Sequence, residues 1–166
     1  LYGALLGAVA VMAIFWGRKD RDPMVDELFR WYETTAFPVY TPRKGLPVGL
    51  DRDLPTSVAD SVLCHISVSK WAYSSGLPAQ SKERSERCAR ITADTAKKTV
   101  EIMNAKINGT FKPGFAFSEV QKGCTQPDCH GGSKDKFGSP ILKGKMDCTP
   151  CHTGSEHVQN KTVNHP

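Results

Sequence analysis

The sequence feature that most constrains this chain is Cys148-Thr149-Pro150-Cys151-His152, close to the C-terminus. It is a C-x-x-C-H motif, the spacing at which two thiols add to the vinyl groups of one haem. The histidine after the second thiol is then placed beneath the iron, where it binds as an axial ligand. The motif predicts covalent haem attachment through Cys148 and Cys151, with His152 as the proximal iron ligand.

A second cluster of the same residue types comes earlier in the chain. Cys124 and Cys129 are separated by four residues instead of two, and His130 follows directly. We interpret this C-x4-C-H sequence as a second haem-attachment site, with His130 as its proximal iron ligand. The two clusters together predict two c-type haems as the cofactors.

Two other occupants are consistent with these residue types. Cysteine and histidine are the usual ligands of zinc, and in an oxidising compartment the cysteines could form two disulfides. Adjacent cysteine and histidine residues chelate one tetrahedral ion poorly, and a disulfide needs no histidine after its second cysteine. Haem is therefore the favoured cofactor, and a structural subunit with zinc in these clusters is an alternative.

Three histidines lie outside the two clusters, at His65, His157 and His165. If each haem iron takes a second histidine, two of these three side chains complete the coordination. We predict His65 and His157 as the distal ligands, with His165 as the weaker candidate. Bis-histidine coordination leaves no open iron site, which favours an electron carrier over an enzyme. The alternative is an enzyme subunit in which one iron stays open.

The N-terminal stretch contains no charge and is almost wholly apolar as far as Trp16, and a charged run begins at Arg18. Its length lies between a signal-peptide core of about 7–15 residues and a membrane span of about 20. We predict a transmembrane anchor over residues 1–17. The rest of the chain is then expected in the periplasm or on the outer face of the cytoplasmic membrane, because c-type haem is attached outside the cytoplasm.

Residues 18–55 are predicted to hold a short amphipathic helix and a Pro-rich arm. Asp22-Pro23 is typical of an N-cap and first helical residue, and the helix is expected to end near Thr34. Its apolar face consists of Met24, Val25, Leu28, Phe29 and Tyr32. Residues 37–55, the Pro-rich arm, contain four prolines and predict an extended segment that wraps over another subunit or acts as a spacer.

Residues 56–166 are predicted to form a dihaem cytochrome c domain that begins with an antiparallel helical hairpin over 56–108. The first helix is expected to start at a capping box at Ser57 and to stop at Gly76. The second is expected from about Ser81 to Asn108. Its predicted buried stripe consists of Ala89, Ala93, Ala96, Val100, Met103 and Ile107. Its predicted solvent-facing basic residues are Lys82, Arg84, Arg87, Arg90, Lys97 and Lys98.

Residues 109–166 are rich in glycine, proline, lysine and aspartate and show little periodicity. Such a composition buries too little apolar surface to fold without a cofactor. Haem supplies both apolar surface and covalent crosslinks. The predicted fold class is therefore mainly α, with an N-terminal transmembrane helix, a helical hairpin and a loop-rich haem-binding segment.

Cys64 and Cys88 lie in the predicted hairpin, outside the haem motifs. A disulfide between them is geometrically difficult, because their unequal distances from the turn offset them by about 6 Å along the helix axes. Free thiols are equally consistent with the sequence. The remaining interpretations are a single-cysteine haem site at Cys64-His65 and ligation of a metal cluster together with Cys88.

The formal net charge of +5 does not indicate a nucleic-acid partner. Nucleic-acid-binding surfaces interleave basic and aromatic residues, and this chain shows no such pattern. Haem propionates would also offset the positive charge. We interpret the lysines between residues 112 and 145 as docking charges for an acidic redox partner protein.

Two stretches of the predicted hairpin resemble a known family. They are Ser67-Val68-Ser69-Lys70-Trp71 and residues 81–90, which read SKERSERCAR. They are similar to the helical part of split-Soret-type dihaem cytochromes c of sulfate-reducing bacteria, over roughly residues 54–105. The resemblance implies haems near a dimer interface, bis-histidine ligation with one ligand supplied across it, and low-potential electron transfer.

The resulting hypothesis is a membrane-anchored dihaem c-type cytochrome. It would carry electrons in an extracytoplasmic anaerobic respiratory chain, as a homodimer or together with other subunits. It would not itself be an enzyme.

Overall fold

The computed structural model describes residues 3–45 and 49–114, together with positions 116, 119 and 122. This part of the chain is mainly helical, as predicted. Its elements are α1 (Gly3–Phe15), α2 (Arg18–Thr34), β1 (Ala36–Phe37), β2 (Ser57–Val58), α3 (Cys64–Ser75) and α4 (Lys82–Ile107). The chain divides into two compact units, residues 1–115 and residues 116–166.

α1 is a core helix of the first unit. Leu5, Ala8 and Met12 follow one another at steps of three and four, so they share one face of the helix. All three are buried in the core that α1 forms with α2 and α4. The 13 residues of α1 rise about 20 Å at 1.5 Å per residue, well short of the roughly 30 Å of a bilayer core.

No helix in the described ranges is long and apolar enough to cross a membrane. The predicted transmembrane anchor over residues 1–17 is therefore wrong. The membrane-anchored location that depended on it is wrong for the same reason. An apolar stretch without charges has the composition of a membrane span, but here one face of the helix packs into a protein core.

α2 begins at Arg18, one turn earlier than the sequence predicted. Gly17 precedes it in an extended conformation, and its carbonyl accepts hydrogen bonds from the amides of Asp20 and Arg21. Pro23 consequently lies inside the helix instead of at its first position. The predicted apolar face is confirmed by three fully buried side chains, those of Met24, Leu28 and Tyr32.

The two short strands pair antiparallel, with Ala36 opposite Val58 and Phe37 opposite Ser57. The helical start predicted at Ser57 is therefore wrong, and α3 begins at Cys64. Capping-box residues also suit turns and short strands, and β1 lies too far away in sequence for a local pattern to reveal the pairing.

The Pro-rich arm lies along α4 of its own unit. The backbone N–H of Val39 donates to Asp94 Oδ2 at 2.9 Å. Arg90 Nη2 donates to the carbonyl oxygens of Leu50 at 2.8 Å and Arg52 at 2.9 Å. The arm thus runs antiparallel to α4. Burial raises the pKa of Asp94, and the hydrogen bond from Val39 partly opposes this shift.

The predicted C-terminal end of α3 and both predicted ends of α4 are confirmed. α3 ends at Gly76, which has the left-handed φ of 68° that favours glycine at a helix C-terminus. α4 starts after Ser81, whose Oγ accepts a hydrogen bond from the Arg84 amide at 3.2 Å. It ends before Asn108. The closest packing of α4 is against α1 and α2, so it is part of a larger helical core instead of a simple hairpin with α3.

The buried face of α4 is not the predicted one. The predicted stripe is largely exposed, at Ala89, Ala93, Ala96, Val100 and Ile107. The buried residues are Arg87, Arg90, Ile91, Asp94, Thr95, Thr99 and Ile102. Polar groups are tolerated in this core because they are hydrogen-bonded, the arginines to neighbouring segments and the threonines to carbonyls one turn back.

Candidate functional site

Most of the residues predicted to bind haem lie outside the described ranges. They are Cys124, Cys129, His130, Cys148, Cys151, His152, His157 and His165. The predicted distal ligand His65 is described. It is the second residue of α3, and its side chain is exposed at the surface of the first unit.

The first unit contributes two cysteines from two different helices. Cys64 is the first residue of α3 and is exposed, whereas Cys88 lies in α4 and is half-buried against the core. No disulfide joins Cys64 to Cys88. The first residue of a helix lies at the positive end of the helix dipole, which stabilises negative charge such as that of a metal-bound thiolate.

Two buried residues of α3 follow Cys64 at helical spacing. Ser67 lies one turn after Cys64 and Trp71 one turn further, and both are fully buried. The indole Nε1 of Trp71 donates to the carbonyl oxygen of Pro55 at 2.8 Å. The second half of α3 is therefore attached to the segment that precedes the helix.

Arg87 connects this face of α3 to α4. Its guanidinium is completely buried, and Nη2 donates to Ser67 Oγ at 3.0 Å. The guanidinium carbon also lies 5.6 Å from the centroid of the Trp71 ring, within the range of a cation–π interaction. Because Arg87 directly precedes Cys88, this contact brings the two cysteine-bearing turns into one polar cluster.

Tyr32 of α2 completes this polar cluster. Burial raises the pKa of its phenol above the ordinary value, a hydrogen bond with Ser67 and the charge of Arg87 lower it, and the thiols of Cys64 and Cys88 raise it further. Both cysteines thus act electrostatically on the same buried phenol. We call Tyr32, Cys64, Ser67, Arg87 and Cys88 the two-thiol cluster.

The two-thiol cluster offers part of a metal site. Two thiols are soft donors of the kind that bind iron in iron–sulfur centres. The described residues contain no group of three or more histidine, cysteine or carboxylate side chains that could hold a metal ion. Cys64 and Cys88 by themselves do not make up such a group.

The sequence indicated the two cysteines but not the side chains that connect their helices. Arg87 was assigned to a solvated basic face because it lies among charged residues. The spacing of Ile91 and Ile102, three turns apart on one side of α4, was the available sign that this side faces the core. Nothing in the local pattern marks Tyr32 or Ser67 as polar partners of an arginine.

Comparison with known protein families gives one match over most of the first unit. Residues 2–102 match the family described as "Putative redox-active protein (C_GCAxxG_C_C)". The matched range contains two cysteines, Cys64 and Cys88. The family match thus covers the two-thiol cluster and excludes the C-terminal haem motifs.

Comparison with individual proteins extends the likeness to almost the whole chain. The sequence is 50% identical over 166 residues to "Split-Soret cytochrome c" of Desulfovibrio desulfuricans (strain ATCC 27774 / DSM 6949 / MB). The match covers 99% of this chain and 58% of that protein, so the chain spans little more than half of the relative's length.

A solved structure gives the same likeness in three dimensions. It is described as "A novel iron centre in the split-Soret cytochrome c from Desulfovibrio desulfuricans ATCC 27774". It superposes with a TM-score of 0.80 at 51% sequence identity and covers 99% of this chain and 67% of the other.

The described iron centre corrects the predicted cofactors. The C-terminal clusters predicted two c-type haems as the cofactors. The solved relative is described as having a novel iron centre, which a pair of c-type haems does not account for. The prediction of two haems is therefore wrong. It placed covalent haem attachment at residues 124–152 and left the roles of Cys64 and Cys88 open.

The family match covers more than half of the chain, and the relatives are about half identical over nearly all of it. The resemblance noted in the two hairpin stretches is thus confirmed at the level of the whole chain. This chain belongs to the split-Soret cytochrome c family and to the redox-active protein family described by the C_GCAxxG_C_C pattern.

Proposed function

We propose that this protein is a c-type cytochrome that carries electrons between redox partner proteins and is not itself an enzyme. The observation that carries the proposal is 50% identity over 99% of the chain to a split-Soret cytochrome c, in a chain that itself has a C-x-x-C-H motif. The redox-active family model and the motif are separate signs, because the model ends at residue 102 and the motif starts at residue 148.

The C-terminal motif supplies the groups that hold haem. Cys148 and Cys151 offer the thiols for two thioether bonds, and His152 offers an imidazole for the iron. When bound, a c-type haem supplies reversible one-electron exchange at its iron. Covalent attachment keeps the haem on the protein in both oxidation states, which suits a carrier that binds and leaves its partners.

A closed iron site is the second part of the proposal. A histidine on the distal side excludes small molecules and leaves electron transfer as the function of the iron. The candidate for this ligand among the described residues is His65, which is exposed near the start of α3.

The test is a redox titration of the purified full chain in a sealed optical cell, followed by addition of carbon monoxide. We expect haem absorption bands that change reversibly as the potential is cycled. Carbon monoxide should leave the reduced spectrum unchanged, because both axial positions are filled. A clear carbon monoxide shift would instead support an enzyme with an open iron and would overturn the carrier function.

We further propose that Cys64 and Cys88 are ligands of an iron centre like that named for the solved relative. The support is the two-thiol cluster itself. Cysteines from two helices both influence the pKa of the buried Tyr32 phenol, and both lie within the range that the redox-active family model covers.

Serine variants of both cysteines test this iron site. Cys64→Ser and Cys88→Ser should each lower non-haem iron per chain to less than a tenth of the wild-type value, because a hydroxyl is a far poorer iron ligand than a thiolate. Non-haem iron is measured with a colorimetric chelator after the protein is acid-denatured, and covalent haem is measured separately and should not change.

Ala89→Ser is the matched control, since it adds the same hydroxyl at the exposed position next to Cys88. This control should keep the wild-type iron content. Wild-type non-haem iron content in both cysteine variants would show that the iron centre lies elsewhere in the protein.

A further inference from the structure

The solvent-facing side of α4 is apolar along most of the helix. Val100 is 54% exposed and Ile107 is 69% exposed, and the alanines that precede them on this side are exposed as well. Single exposed apolar residues are ordinary, but a contiguous row of them marks an interaction surface. We call this row the outer stripe of α4, and it consists of Ala89, Ala93, Ala96, Val100, Met103 and Ile107.

The outer stripe lies opposite the face of α4 that packs into the core. Ala93 follows the buried Ile91 by two residues, and Val100 precedes the buried Ile102 by two. Two residues turn a helix by about 200°, so the stripe faces away from the core of its own unit. Met103, at the edge of the stripe, is the one member that is partly buried against that core. Core packing therefore does not explain why the other positions are apolar.

The spacing of the outer stripe indicates what kind of surface fits it. Successive members are separated by alternating steps of four and three residues. This is the spacing of a coiled-coil seam, in which each apolar side chain inserts between residues of a facing helix. The partner that matches the outer stripe is therefore another α-helix.

The two halves of the outer stripe differ in side-chain size, since alanines form the first half and larger side chains form the second. An antiparallel copy centred on residue 98 pairs each alanine with a larger side chain: Ala89 with the partner's Ile107, Ala93 with the partner's Met103, and Ala96 with the partner's Val100. Every layer then combines one small and one large side chain. A parallel copy would instead set alanine on alanine at one end and isoleucine on isoleucine at the other.

Two charged residues beside the outer stripe fit the same antiparallel arrangement. Lys97 is 80% exposed and Glu101 is 52% exposed, and the lysine Nζ lies 3.8 Å from the glutamate Oε1. Around residue 98, Lys97 lies about 3 Å along the axis from the partner's Glu101, against about 6 Å from its own Glu101. The two lysines also approach each other, and the two glutamates offset their charge. The charges at the centre of the pair thus sum to zero.

We propose that the outer stripe of α4 is the contact surface for a second copy of this chain, which packs its own α4 against it in the antiparallel direction. The alanines let the helix axes approach to about 8 Å, the close end of the usual spacing between packed helices. This inference depends on neither the haem nor the iron proposal, because every residue that carries it lies in α4.

The first test is the molar mass of the full chain in solution, measured by size-exclusion chromatography with light scattering over a range of concentrations. We expect the wild type to be a dimer at micromolar concentration. Ala93→Glu sets a carboxylate against the apolar side chain of the partner's Met103, and burial of that charge should raise the dissociation constant at least about a hundredfold. Glutamate suits a helix nearly as well as alanine, so circular dichroism should show a folded monomer.

Ser69→Glu is the matched control for Ala93→Glu. It adds the same side chain at an exposed position of α3, away from the outer stripe, and the dimer should persist. A monomeric wild type would overturn the proposal. A dimer that Ala93→Glu leaves as tight as the wild type would overturn it too, because the outer stripe would then face a different occupant.

The second test is disulfide crosslinking, which also decides the direction of the two helices. In the double variant Ala89→Cys/Ile107→Cys, the new thiols of one chain are about 27 Å apart along α4, far beyond the Cα separation of about 7 Å that a disulfide tolerates. Oxidation should therefore link two copies, seen as a dimer band on a non-reducing denaturing gel. The wild type measures the background from the native cysteines.

The single variants Ala89→Cys and Ile107→Cys should stay at that background, because each new thiol then lies opposite an unchanged residue of the partner. Crosslinking of the single variants would indicate a parallel pair, and no crosslinking of the double variant would indicate a different surface. Either result would overturn the antiparallel contact. This test remains decisive if Ala93→Glu fails to fold.

Discussion

Replacing Cys148 and Cys151 together by serine should remove covalently attached haem from the C-x-x-C-H motif. A hydroxyl does not form the thioether bond to a haem vinyl group, so the double variant has no chemical means of attachment at this motif. Haem that stays on the polypeptide after acid–acetone extraction and denaturing electrophoresis should decrease by one equivalent per chain. The measurement is a haem stain of the denatured band, calibrated by the pyridine haemochrome spectrum.

The matched control for this variant is Cys88→Ser. It removes a thiol of the same protein from a helix outside the haem motifs, so covalent haem should stay at the wild-type level. If the double variant kept all of its covalent haem, the C-x-x-C-H motif would not be the attachment site. If Cys88→Ser lost haem as well, the loss could not be assigned to thioether chemistry.

The largest expected effect on folding comes from Arg90→Met. The Arg90 side chain is only 3% exposed and donates to Glu86 Oε1 at 2.8 Å and to the Leu50 and Arg52 carbonyl oxygens. Methionine fills much of the same volume but leaves these acceptors without their donor. Removal of one partner from a buried ionic network costs about 3–5 kcal/mol. We therefore expect the free energy of unfolding to fall by about 3 kcal/mol.

Urea unfolding followed by circular dichroism measures this change, with Lys97→Met as the matched control. Lys97 is also a cation of α4, but it is 80% exposed and lies 3.8 Å from Glu101. An exposed pair of this kind contributes at most about 0.5 kcal/mol. Equal stabilities of the two variants would mean that the contact between the Pro-rich arm and α4 does not stabilise the fold.

The ends of several helices could be predicted from sequence because the signals are local. Gly76 takes the left-handed conformation that ends α3, and the Ser81 hydroxyl caps α4. The apolar face of α2 was likewise predicted correctly, from a spacing that matches the helical period. In each of these cases the deciding interaction lies within one or two turns of the residue that signals it.

The environment of α1 could not be predicted in the same way. Leu5, Ala8 and Met12 form its buried face, but Leu6 and Ile14 on other faces are equally apolar and are exposed. A helix without a polar side gives no period to separate a protein core from a lipid environment. The length of α1 and its packing against α2 and α4 show that it belongs to a protein core. Neither property can be read from the composition.

The prediction of the buried face of α4 was wrong for the opposite reason, because much of that face is polar. Arg87, Arg90 and Asp94 are buried since each has hydrogen-bond partners from distant segments, namely Ser67 of α3 and the Pro-rich arm. Hydrophobic periodicity places charged residues in solvent, and it therefore predicted that the alanine stripe of α4 faces the core. The two-thiol cluster was missed with them, because the arginine that connects its helices was placed on the wrong face.

The central claim is tested most directly by the intact mass of the purified full chain, measured by mass spectrometry under denaturing conditions. Non-covalent ligands are lost under these conditions, whereas haem held by thioether bonds stays on the polypeptide. The proposed function predicts a mass above that of the polypeptide by one haem group. A mass equal to that of the polypeptide alone would contradict it and would leave the protein without the cofactor of a c-type cytochrome.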